Sequence, residues 1–327
     1  MLRILRSNQP IAFTVTPVTV LILMLVYAFV DVPPIDSHQS PSWLLGSLSG
    51  LHRFFGEFNL LISGLVIALN GILFNRMFVR HEIIPHRNSL AGWWYVLLMM
   101  SGFLSIPFSP ILIAQTFTIL GINETLKVYR ENDGASSYFS AGFLLGCASV
   151  CSGPFIFLGI ALIASVLYTR AANWRELSLP IIGFALPFLQ FGALLWLSDT
   201  PVDTFLYGLN TDSMAFTWSM SKIVRLAMLI LAGFIGFLFL LGTFGSSSNK
   251  SKNSKAILML FSIGFFVVAG TLSSYSMFLA LQAAAMVCAW FIPWLFIDRN
   301  KRWINIAFLM LVMATLFPLV VATVRTF

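Results

Sequence analysis

The stretch IAFTVTPVTVLILMLVYAFV, from Ile11 to Val30, holds no charged side chain over twenty residues. As a helix rising 1.5 Å per residue it would cover about 30 Å, the thickness of a bilayer's hydrocarbon core. The flanks sharpen the reading. Arg3 and Arg6 precede the stretch and Asp31 follows it. A cleaved secretory leader also starts basic and turns apolar. Here the apolar run is long and no small-x-small cleavage site follows, so it reads as a first membrane span.

Working outward, ten more apolar runs follow, near 58–76, 90–106, 110–129, 137–152, 154–170, 177–197, 222–244, 256–272, 275–297 and 302–324. Composition agrees. Hydrophobic residues make up 58% of the 327 and charged residues 9%, with a mean hydropathy of +0.90. A soluble domain carries roughly 25% charge. The runs are apolar all round, whereas the strands of a membrane barrel alternate. The expected fold is therefore all-α: one polytopic membrane bundle of about eleven spans covering 1–327.

Two spans are separated from their successors by tight breaks, Pro107-Phe108-Ser109-Pro110 and Cys151-Ser152-Gly153-Pro154. Proline cannot continue the helical hydrogen-bond ladder. Each break reads as a hairpin. One long kinked helix is the alternative, and it would reverse the side of every later loop. The charges favour hairpins. With the N-terminus in the cytoplasm, fifteen of the nineteen Lys and Arg fall inside, among them Arg3, Arg76, Arg80, Lys127 and the basic loop 245–255. Only Arg53, Lys222, Arg225 and Arg325 fall outside. The acids divide evenly, which leaves the inner face at +9, the outer face at −2 and the whole chain at +7. Positive charge resists translocation, so this asymmetry sets topology. It is not a nucleic-acid footprint, and the C-terminus is expected outside.

Two outer loops are long, 31–57 and 198–221. In the first, Ser40-Pro41 reads as a helix start, and Leu44, Leu48, Leu51 and Phe55 recur at three- and four-residue steps. This predicts an amphipathic helix over 41–57 lying in the membrane interface. The second carries Asp199, Asp203 and Asp212, with Lys222 and Arg225 just beyond. The residues expected at membrane depth include only neutral polar ones: Asn70, Gln115, Thr116, Gln190 and Gln282. Buried ionisable groups mark proton and ion paths, so a proton-coupled transporter is disfavoured. His38, His52, His81 and His86 fall in loops on both faces and cannot form one metal site. Cys147, Cys151 and Cys288 lie in apolar spans and read as packing residues, and no cofactor is implied. Gly142 and Gly146 form a G-x-x-x-G pair, which reads as a close helix–helix contact.

The order of features resembles a family of polytopic membrane proteins from the Bacteroidetes for which no activity is known. The resemblance rests on Asn8-Gln9-Pro10, Phe58-Asn59, Asn75-Arg76, the Gly142-Phe-Leu-Leu-Gly146-Cys-Ala148-Ser149 segment followed by Gly153-Pro154, and Arg170-Ala-Ala-Asn173-Trp174-Arg175-Glu176. It implies a bacterial inner membrane. More distantly, the chain resembles GT-C-class membrane glycosyltransferases and the related polysaccharide polymerases. These have a juxtamembrane helix in a long first outer loop and an acid just after the first span. That resemblance implies transfer or polymerisation of sugars from a polyprenyl-phosphate carrier at the outer face. Asp31 or Asp36 would be the general base, and Arg53, Lys222 and Arg225 would hold the carrier phosphate. Many members place two acids side by side, whereas Val-Pro-Pro-Ile separates Asp31 from Asp36 here. Two other roles fit the same sequence: a non-catalytic membrane component of an envelope assembly or secretion system, and a lipid or solute transporter. Membrane lipids are the expected partners in every case.

Overall fold

The computed structural model describes residues 5, 10–28, 58–84, 88–100, 110–128, 134–169, 174–198, 220–245, 247–273, 277–297 and 302–326. Among the described residues there are eleven α-helices and no strand. They are α1 (Pro10–Ala28), α2 (Asn59–Arg80), α3 (Leu90–Met100), α4 (Pro110–Lys127), α5 (Ala135–Cys151), α6 (Phe157–Thr169), α7 (Trp174–Leu197), α8 (Met220–Gly242), α9 (Asn249–Ser273), α10 (Met277–Phe291) and α11 (Arg302–Thr326). Short 3-10 segments, Gly153–Ile156 and Ile292–Phe296, precede α6 and follow α10. Each apolar run of the sequence matches one helix. By length and composition α2, α7 and α9 are long and apolar enough to cross a membrane, and most of the other helices contain shorter apolar stretches.

The helices that flank each proline break come into contact, as a hairpin requires. The Tyr95 hydroxyl donates to Gln115 Oε1 at 2.7 Å. In one continuous helix these residues would stand about 30 Å apart. The hydroxyls of Tyr138 and Thr169 meet at 2.6 Å, joining the start of α5 to the end of α6. At Ser152 the backbone is extended (φ −146°, ψ 109°), and Pro154 then opens the 3-10 turn.

The predicted basic loop 245–255 is shorter than its sequence implies. Ser248 accepts the Ser251 amide on its Oγ and the Lys252 amide on its carbonyl, and α9 starts at Asn249. A serine cap suffices to begin the helix among the lysines. The predicted interfacial helix at 41–57 lies outside the described residues.

Glycines set the closest helix contacts. A methyl group on Gly142 would run into the Pro180 carbonyl oxygen, and one on Gly146 into the Phe184 carbonyl. From the other side, a methyl on Gly183 would meet the Phe139 carbonyl. The backbones of α5 and α7 therefore touch, as the G-x-x-x-G spacing predicts. Gly71 and Gly92 make a second such contact between α2 and α3. Small residues let helix backbones approach this closely, and van der Waals contact then joins them.

At the centre stands α3, whose eleven residues, Leu90 to Met100, are all buried. Trp93 and Trp94 stack on Phe308 and Phe296, with ring centroids 5.4 and 5.9 Å apart, which ties α3 to α11 and to the segment after α10. Around this centre the outer faces are apolar. Leu61, Leu65, Leu69 and Ile72 line one side of α2, and Ile230, Leu231, Phe234 and Leu238 line α8, all exposed. Trp196 on α7 is 80% exposed. Apolar surface this extensive does not face water in a monomeric soluble protein.

Candidate functional site

One end of the bundle collects several helix termini. The Leu5 carbonyl accepts the Ser89 amide at 3.0 Å, joining the segment before α1 to the start of α3. His81 Nε2 lies 3.0 Å from Asn123 Oδ1, joining the end of α2 to the last turns of α4. Lys250 pairs with Glu82 and donates to the Arg80 carbonyl, which brings in the start of α9. Glu82 takes φ 52°, the only positive φ at a non-glycine position among the described residues.

Beside them Lys255, a residue expected in a solvated loop, is 2% exposed. Its ammonium donates to Thr243 Oγ1 at 3.0 Å and to Ser247 Oγ. It also lies 4.7 Å from the centroid of the Trp294 ring. Sequence reading missed this burial because Trp294 stands far along the chain and only the fold brings it over the lysine.

Nearer the middle of the bundle, a chain of neutral polar groups crosses four helices. Asn70 Nδ2 on α2 donates to the Tyr95 hydroxyl on α3 and to the Leu112 carbonyl on α4, each at 3.2 Å. Tyr95 donates to Gln115 on α4, and Gln115 Nε2 donates to the Gln282 carbonyl on α10 at 3.0 Å. Every donor runs in one direction along the chain. Asn70 Oδ1 remains buried without a hydrogen-bond partner. Two of the five polar residues anticipated at depth thus converge through their side chains, and Gln282 joins through its backbone. Thr116 instead bonds back to the Leu112 carbonyl, and Gln190 is exposed on α7. Tyr95, the link between them, was hidden in the sequence as one more aromatic in an apolar run. The chain carries no formal charge, so its chemical capacity is to fix four helices in register.

The residues proposed for transfer chemistry are not brought into view. Asp31, Asp36 and Arg53 lie outside the described residues. Lys222 and Arg225 fall in the first two turns of α8 by their backbone, and their side chains lie outside the described set. Among the described residues no group of three or more His, Cys, Asp or Glu side chains could hold a metal ion. Cys147, Cys151 and Cys288 are free thiols. Comparison of the chain with family models, with curated proteins and with solved structures finds no match.

Proposed function

We propose that this chain is a multi-pass inner-membrane protein with all eleven helices in the bilayer, its N-terminus cytoplasmic and its C-terminus outside. Within that membrane it acts as a non-catalytic component of an envelope assembly or secretion system. One observation carries the reading. The helix ends that meet, through Leu5 and Ser89, His81 and Asn123, Lys250 and Glu82, and Tyr138 and Thr169, are ends that the charge asymmetry assigns to the cytoplasmic face. Packing thus groups ends that the charge count puts on one side, which supports the reading, and positive charge on short loops favours the inside. The scaffold role is supported by an interior joined by touching backbones, stacked tryptophans and a neutral hydrogen-bond chain. Such a core holds fixed loops in fixed places.

The second reading is a GT-C-like transferase, with Asp31 or Asp36 as base and Arg53, Lys222 and Arg225 holding a polyprenyl phosphate. It draws on the position of Lys222 and Arg225 three residues apart at the start of α8, where an Arg or Lys pair beside a helix N-terminus suits phosphate. Complementation of a deletion strain separates the two. A scaffold predicts full complementation by both Asp31→Asn and Asp36→Asn. Loss of function by either variant, at normal protein level and with co-purifying proteins unchanged, favours the transferase, whereas loss of function together with loss of a co-purifying protein marks the loop as a docking site of the scaffold.

A further inference from the structure

The start of α9 is charged against its own dipole. Lys250, Lys252 and Lys255 occupy its first two turns, and no acid stands in the first turn. A helix N-terminus already carries about half a positive charge, so lysines there repel it. Lys250 is relieved by Glu82. Lys255 has no acid beside it among the described residues. It is buried, and its contacts among the described residues are two neutral hydroxyls and an aromatic ring. A buried ammonium without a counter-charge is costly.

An independent sign of a missing acceptor lies beside it. The indole N–H of Trp294, the ring on which Lys255 rests, is buried without a hydrogen-bond partner. Before the helix stand the hydroxyls of Thr243, Ser247 and Ser248, and a methyl on Gly245 would meet nothing within 4 Å. An unused indole donor, a cation and a helix N-terminus share one need, an anion with several oxygens.

We propose that this end of α9 binds a phosphate group, with Lys255 as its central cation and the Trp294 indole as a further donor. The source is the headgroup phosphate of an anionic phospholipid in the inner leaflet. That source, though not the anion site itself, rests on the membrane orientation proposed above. A phosphate oxygen takes over the acceptor role that Ser247 Oγ now fills, and the freed hydroxyl turns to donate. Helix N-termini and lysine ammoniums both bind phosphate in this manner.

The test uses full-length protein, delipidated in detergent, with binding read by native mass spectrometry and by thermal shift. The probes are phosphatidylglycerol, phosphatidylcholine and inorganic phosphate. Wild type is expected to bind phosphatidylglycerol at least tenfold more tightly than phosphatidylcholine, and Lys255→Met to lose that preference. Equal binding of the two lipids by wild type, or an unchanged preference in Lys255→Met, overturns the proposal. Should Lys255→Met fail to fold, Trp294→Phe decides. It keeps the ring and removes the N–H, so binding about threefold weaker supports the site and unchanged binding overturns it. Inorganic phosphate that protects wild type as well as phosphatidylglycerol does, and fails on Lys255→Met, supports the anion site and overturns the lipid source. An Asp298→Asn variant that gains a phosphatidylglycerol preference absent from wild type overturns the proposal and makes Asp298 the counter-charge of Lys255. Reporter fusions read the orientation separately, so its failure and the failure of the anion site remain distinct.

Discussion

The Tyr95 hydroxyl accepts a hydrogen bond from Asn70 Nδ2 and donates one to Gln115 Oε1, at a position with no access to water. Removing it leaves Gln115 Oε1 without its donor and removes one of the two acceptors of Asn70. A hydrogen bond between membrane helices contributes about 0.6 kcal/mol on average and up to about 1.7, and an orphaned buried group costs about 1–3 kcal/mol. Tyr95→Phe should therefore destabilise the bundle by about 1–2 kcal/mol, measured as the free energy of unfolding in mixed micelles. In a double-mutant cycle with Gln115→Leu the two changes should be less than additive, because the second variant no longer has an acceptor to orphan. Full additivity would mean that the two side chains are not coupled. Sequence exposes residues of this kind unevenly. Asn70 and Gln115 stand out as polar groups among apolar ones, whereas Tyr95 and Lys255 do not. A tyrosine belongs to the aromatic background of a membrane span, and a lysine at a span end reads as solvated until a distant tryptophan covers it.

Between elements, the contact of α5 with α7 is the most exacting in the bundle. Gly142, Gly146 and Gly183 each face a carbonyl of the other helix, so no side chain fits between them. Gly142→Leu must push the helices apart, at a cost of about 1–3 kcal/mol by the usual scale of overpacking. Gly192→Ala, on the same α7, is the matched control. A methyl there meets nothing within 4 Å, and replacing a helical glycine gains about 0.5–1 kcal/mol. The expected result in a thermal melt of the purified protein is a clear fall in Tm for the first variant and none for the second. Equal falls would place the α5–α7 contact elsewhere. The G-x-x-x-G spacing announced one side of this interface. Its partner was not announced, because Gly183 lies between Pro180 and Pro187, where a glycine reads as one more interruption of the helix.

For the molecule as a whole, the arrangement of helix ends makes a topological prediction. A reporter active only in the cytoplasm should give signal when fused after Lys252 and none when fused after Asp203. The opposite outcome at either site would break the eleven-span arrangement, since each intervening crossing changes side. Number and order of helices were legible in the sequence because length and apolarity are local properties, and the eleven runs carry them one by one. The two chain reversals were also legible, since proline acts on its own backbone. Which helix is central was not legible. All the runs are similarly apolar, and such helices are sorted by how closely their backbones and aromatic rings fit, a property of pairs. Only the tertiary structure could choose the short α3 as the buried centre, join Asn70, Tyr95, Gln115 and Gln282 into one chain, and place Trp294 over Lys255. Each of these depends on residues far apart in sequence meeting at contact distance, and no local pattern records such a meeting.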